Sequence, residues 1–178
     1  MKVDGKYKYS MQVFFVIGPE SSGTKFLTKA LLLATNGYGE AEDNQSLGND
    51  DVLKFPDSLP ETIVFRRSLP HGNKWPNIKF LWEQFSYNGY NIMPILILRD
   101  PDITIKSQIK NGHVKTPEEA RENIKKYKYI YDELPVMPTI TTYESLMITI
   151  LRQSFFQSIG LEFPKELEVI NGNAKYLQ

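Results

Sequence analysis

Apolar positions along this chain follow two periods that alternate. Residues 11–17 and 92–98 are nearly continuous apolar runs, the pattern of strands buried on both faces. Shorter runs at 62–66 and 139–143 predict two further strands. Between them, apolar residues recur with helical spacing over 24–34, 78–87, 102–110, 117–134 and 145–159. Gly37 and Gly39 follow the first helix, Gly89 follows the second, and Pro117 with Glu118 and Glu119 opens the fourth with acids at its positive end. Strand alternating with helix predicts an α/β fold, a three-layer parallel sheet flanked by helices. Two polar, turn-rich segments, NGYGEAEDNQSLGNDD at 36–51 and SLPHGNKWPN at 68–77, are loops of the kind that sit over strand ends, where ligands bind.

Composition narrows the function classes. The 178 residues suit a single domain, 1–178, with a sizeable core. Lys and Arg total 21 and are balanced by 21 Asp and Glu, so any anion site must be local and a globally basic nucleic-acid binder is not expected. The absence of cysteine excludes disulfides, thiolate metal sites and Cys nucleophiles and fits a reducing compartment. The polar start MKVDGKYKYS does not read as a signal peptide, and no apolar run approaches the roughly 20 residues of a membrane span. A soluble, cytoplasmic protein without a membrane partner is therefore expected. His71 and His113 are too few and too far apart for metal-site spacing. NIKKYKYIYDEL, which interleaves Tyr127, Tyr129 and Tyr131 with lysines, reads as a helix burying one aromatic edge rather than as a nucleic-acid or glycan patch.

Candidate chemistry concentrates in FFVIGPESSGTKFLTKALLLA, residues 14–34. An apolar strand runs into a Gly/Ser loop and then a helix start. There Ser21, Ser22, Gly23 and Thr24 offer small side chains, hydroxyls and backbone N–H groups, and Lys25 adds a charge, which is what a phosphate needs. The sheet is thus expected to be P-loop-like. As an ATP site the loop has a defect. The pattern G-x-x-x-x-G-K-S/T wants Lys directly after the second Gly and then a hydroxyl for Mg²⁺; this chain has Thr24, Lys25 and then Phe26. PILILRD, ending in Asp100, could pose as a metal-holding strand, but Arg99 sets a cation beside that carboxylate.

The same loop resembles the 5′-phosphosulfate loop of sulfotransferases that use 3′-phosphoadenosine 5′-phosphosulfate (PAPS), of the form K/R-S/G-G-T followed by a variable and an apolar residue. SSGTKF matches it at Ser22, Gly23, Thr24 and Phe26. Family members bind the 3′-phosphate with an Arg at a strand end and a Ser eight residues on, and LRDPDITIKS carries Arg99 and Ser107 in that register. TITTYESLMITILRQSFFQSIGLEFP resembles the family's strand-then-YEDL segment at Tyr143, Glu144 and Leu146, read here as scaffold with Glu144 capping a helix. Together these similarities span residues 13 to about 164. They imply cofactor binding by Ser21, Ser22, Gly23, Thr24, Lys25, Phe26, Arg99 and Ser107. PAPS is the implied cofactor and adenosine 3′,5′-bisphosphate the product, with the sulfuryl group passing to a hydroxyl or amine of a small-molecule or carbohydrate acceptor and no metal required.

Three departures qualify the resemblance. Ser21 stands where the family carries a loop Lys or Arg, which makes Lys25 the candidate for the missing charge. RRSLPHG replaces the K-T-H-L-P of the cytosolic branch, so Ser68 takes the place of its general base and His71 follows three residues later. The C-terminal R-K-G is absent, and NGNAKY supplies only Lys175. Candidate bases are His71, with a near-neutral reference pKa, and Glu40 or Glu42, because some branches use a Glu roughly twenty residues past the loop. Two alternatives stay open: an atypical P-loop nucleotide kinase or triphosphatase, and a non-catalytic nucleotide-binding module of the same fold.

Overall fold

The computed structural model describes residues 11–41, 47–48, 51–70 and 74–176. In chain order come β1 (Gln12–Gly18), α1 (Thr24–Thr35), β2 (Thr62–Ser68), α2 (Ile78–Tyr87), β3 (Asn91–Leu98), α3 (Pro101–Lys110) and α4 (Pro117–Lys125). After a 3-10 turn at Lys126–Tyr129 follow α5 (Ile130–Glu133), β4 (Thr139–Thr142), α6 (Tyr143–Met147) and α7 (Thr149–Ser158), and a second 3-10 turn lies at Ala174–Tyr176. Among the described residues the sheet has four strands, all parallel, in the order β2-β1-β3-β4.

Alternation along β1 builds both layers of core. Val13, Phe15 and Ile17 point to one face, where Ile63 and Phe65 join them against Leu81 and Phe85 of α2 and Ile130 of α5. Phe14 and Val16 point to the other, packing with Leu27 and Leu31 of α1, Leu146 of α6 and Phe156 of α7. This is the three-layer parallel α/β fold expected from the sequence. The chain steps from β1 to β2 in one direction along the sheet and from β2 to β3 in the other, so right-handed crossovers put α1 and α2 on opposite faces. Such a reversal opens a crevice beyond the C-terminal ends of β1 and β3.

Several predicted boundaries are corrected. The helix expected over 117–134 breaks, because Lys126–Tyr129 tighten into a 3-10 turn before α5. Tyr127 within that turn is buried in the first core, while exposed Lys126 lays its Nζ 5.2 Å from the centre of the Trp75 ring. The helix expected over 145–159 is two helices separated by an extended Ile148 (φ −95°, ψ 119°). Arg152 Nη1 fills that break by donating to the Leu146 carbonyl at 2.7 Å, satisfying an acceptor that the end of α6 leaves open. The strand expected to reach Tyr143 ends at Thr142, whose hydroxyl accepts from the Ser145 N–H at 3.1 Å and caps α6. β2 runs past Arg66 to Ser68, carrying polar residues to the sheet's C-terminal edge. Among the described residues no helix is long and apolar enough to cross a membrane.

Candidate functional site

The loop after β1 is wound tightly enough to need two glycines for different reasons. A Cβ on Gly18 would lie 2.5 Å from Ser22 Oγ and 2.7 Å from the Ile97 carbonyl oxygen, so the loop packs directly on the end of β3. Gly23 has φ 97° and lies against the Tyr143 ring, which a Cβ would overlap. With Ser21 also left-handed at φ 70° and the Ser22 N–H donating to the Pro19 carbonyl at 3.0 Å, the chain turns abruptly into α1. Gly23 is the N-cap of α1 and supplies no side-chain oxygen, whereas α2, α3, α4 and α6 are capped by Asn77, Asp100, Thr116 and Thr142. The positive end of α1 therefore carries no side-chain cap, and it faces a cleft of about 560 Å³ lined by Ser21, Gly23, Thr24, Lys25 and Phe26. Ser22 is fully buried beneath the loop and does not line the cleft.

Arg99 and Ser107 reach the same cleft from β3 and α3. Arg99 leaves the end of β3 half-buried, with its guanidinium carbon 4.8 Å from the centre of the Tyr143 ring and 5.6 Å from that of Tyr176. Its Nη1 donates to the Ser21 carbonyl at 2.6 Å, and Nε and Nη2 both donate to Asn173 Oδ1. Asn173 is held in turn by Glu144, whose Oε1 accepts from Asn173 Nδ2 at 2.8 Å and from the Asp100 N–H at 3.3 Å. Glu144 is thus not the helix cap expected of it but the anchor of a relay that orients Arg99. Asp100 caps α3 by accepting from the Ile103 N–H at 3.0 Å. On α3, the buried Thr104, Ser107 and Gln108 form one polar stripe toward the loop, with Gln108 Nε2 donating to the Glu20 carbonyl at 2.9 Å.

The C-terminal segment NGNAKY closes the site. The Gly172 N–H donates to Tyr143 Oη at 2.9 Å, and that hydroxyl donates to the Ile170 carbonyl at 3.1 Å, which pins the segment over the loop. Tyr176 donates to Ser107 Oγ at 3.0 Å. Burial pulls the Tyr176 phenol upward, but the hydrogen bonds with Ser107 and Lys175 and the charges of Lys175 and Lys110 outweigh it and leave its pKa below the usual tyrosine value. Lys175 lines the cleft beside it.

Two further elements join this cleft. Arg66 and Ser68 arrive at the end of β2, while the intervening Arg67 turns to the other face of the sheet, its guanidinium carbon 4.7 Å from the centre of the Phe65 ring. Buried Arg66 donates from Nε to the Ala41 carbonyl at 2.9 Å. Among the described residues, four Lys and Arg side chains, from Lys25, Arg66, Arg99 and Lys175, thus line the cleft against one carboxylate, Glu20. That carboxylate lies 3.3 Å from Nδ1 of His113, which also lines the cleft. His113 is brought there by a left-handed helix stop: Gly112 (φ 72°) donates to the Ile109 carbonyl at 3.0 Å and the His113 N–H to that of Gln108 at 2.9 Å. Its sequence signal was the Asn-Gly that ends α3, but the partner Glu20 belongs to a distant loop. Glu40 does not line the cleft, and His71 and Glu42 lie outside the described residues.

No family model matches this chain, and no curated protein matches it in sequence. The chemistry available at the site is therefore read from its geometry. It presents a helix N-terminus, a forked cation held by a relay, a second buried arginine and an imidazole–carboxylate pair in one concave, net-positive cleft.

Proposed function

We propose that this chain is a sulfotransferase that moves a sulfuryl group from PAPS to a hydroxyl or amine of a small-molecule or carbohydrate acceptor. One observation carries the proposal: the uncapped N-terminus of α1 and the Arg99/Ser107 pair, two anion-binding elements from separate parts of the sequence, converge on a single cleft. The residues present fit such a ligand. A volume of about 560 Å³ lies within the usual range of roughly 300–1,000 Å³ for small-molecule sites. Arg99 uses three of its five N–H donors on Ser21 and Asn173, which leaves the fork capable of holding a phosphate. Ser107 accepts from Tyr176, so its own hydroxyl proton remains to donate.

PAPS, when bound, supplies the activated sulfuryl group. The N-terminus of α1 with Lys25 would hold its phosphosulfate end, and Arg99 with Ser107 its 3′-phosphate. Arg66, buried and lining the cleft, would stand in for the cation missing at Ser21. Lys25 and Arg66, as fixed cations, would stabilise negative charge developing on the leaving phosphate oxygen more than they stabilise the bound ground state. A kinase or triphosphatase gains no comparable support, because Thr24 stands where such a loop needs its Lys and, with Lys25 displaced by one position, Phe26 stands where it needs the metal-holding hydroxyl. Calorimetry of adenosine 3′,5′-bisphosphate against adenosine 5′-monophosphate, without metal, tests the proposal. The bisphosphate is expected to bind at least about tenfold tighter, the gap closing in Arg99→Ala, since each charge-assisted hydrogen bond contributes about 1.5–3 kcal/mol. Equal affinities in the wild-type protein would contradict it.

A further inference from the structure

We infer that His113, oriented by Glu20, is the base that takes the acceptor's proton. This rests on the sulfuryl-transfer reading and deepens it by naming a residue outside the candidates drawn from the sequence. The inference starts from an anomaly. Glu20 puts a carboxylate, with its side chain 9% exposed, into a loop built to receive an anion. A buried charge of the wrong sign is costly unless it is paired. Facing it is His113 Nδ1 at 3.3 Å, on a ring whose side chain is 36% exposed and lines the cleft with Ser21, Arg99 and Ser107.

The pair is not needed as a tether. Gln108 already fastens α3 to the Glu20 carbonyl at 2.9 Å, and Asn111 Nδ2 reaches Ser21 Oγ at 3.4 Å. What the carboxylate adds is chemical. Lying 3.3 Å from Nδ1, it favours the neutral tautomer with the proton on Nδ1 and the lone pair on Nε2, and it stabilises the imidazolium that forms when Nε2 takes a proton. Nε2 makes no hydrogen bond to any described residue. As the acceptor oxygen or nitrogen bonds to sulfur, its proton passes to Nε2. The bond from sulfur to the bridging phosphate oxygen breaks, its electron pair stays on that oxygen, and the imidazolium returns the proton to solvent.

The test uses the full chain in two arms. In a ¹⁵N-labelled sample at alkaline pH, where the ring is neutral, the ring nitrogen shifts of His113 are expected to report Nδ1–H and a bare Nε2. In Glu20→Ala the proton is expected to move to Nε2. In the second arm, His113→Gln is expected to hold adenosine 3′,5′-bisphosphate within threefold of the wild-type affinity, which also certifies its fold. Its transfer from PAPS to the best wild-type acceptor in a panel of phenols, sugars and amines is expected to fall by about 100-fold or more, the usual contribution of a positioned base. An Nε2–H ring in the wild-type protein, or undiminished transfer by His113→Gln, overturns the role of His113 alone. Failure of the wild-type protein to bind the bisphosphate overturns the sulfuryl-transfer reading and this role with it.

Discussion

Gly23→Ala is the smallest change that addresses how the loop, the aromatic wall and the C-terminal segment depend on one another. Two costs follow from the geometry. Alanine in the left-handed conformation at φ 97° is strained by about 1–2 kcal/mol. Its Cβ would also overlap the Tyr143 ring, and overpacking of this kind costs typically about 1–3 kcal/mol. The ring cannot swing aside freely, since its hydroxyl is tied to Ile170 and Gly172 and its face carries Arg99. A total loss of about 2–5 kcal/mol is expected in urea unfolding. Hydrogen exchange sharpens the test, because the Gly172 amide donates to Tyr143 and should lose protection before the amides of β1. Stability within 0.5 kcal/mol of wild type, roughly the scatter of an ordinary surface substitution, together with an equally protected Gly172, would refute the proposed interlock.

Lys25→Met is expected to lower the turnover rate by more than it weakens bisphosphate binding, because charge beside the leaving oxygen counts most in the transition state; single-turnover kinetics beside calorimetry separates the two effects. Burial, chiefly, and the Glu20 carboxylate hold the Tyr127 phenol well above its ordinary value, even though the Leu69 backbone pulls it down. Its contribution to stability is therefore complete below the unfolded value of about 10 and is lost as pH rises past it, when the unfolded phenol ionises and the folded one does not. Tyr127→Phe is expected to flatten the fall in stability above about pH 10 seen in urea titrations, and an unchanged slope would contradict the assignment.

The fold was legible where burial on both faces writes a continuous apolar run, as in β1 and β3, and where Pro117 with Glu118 and Glu119 announces a helix start. Legibility failed where function begins. β2 was cut short at Arg66 because Arg67 and Ser68 carry it to the sheet's C-terminal edge as polar residues, a signal that resembles the end of a strand. The breaks at Lys126–Tyr129 and at Ile148 have no Pro or Gly to mark them; Arg152 sustains the second from within the following helix. Within the site, the loop and the Arg99/Ser107 register were readable because each is local in sequence. The Arg99–Asn173–Glu144 relay and the Glu20–His113 pair were not, since each joins residues separated by dozens of positions, and the pair also depends on α3 lying across the loop. Gln108, in the buried polar stripe with Thr104 and Ser107, makes that contact.

The central claim is a cleft for two separated phosphates, and thermal unfolding of the full chain tests it most directly with adenosine 3′,5′-bisphosphate against ATP with Mg²⁺. A ligand at 100 times its dissociation constant stabilises the folded state by about 2.7 kcal/mol, or roughly 5–10 °C in Tm for a chain of this size. The bisphosphate is predicted to give that rise without any metal and to exceed ATP with Mg²⁺. Stabilisation by ATP with Mg²⁺ and none by the bisphosphate would contradict the account.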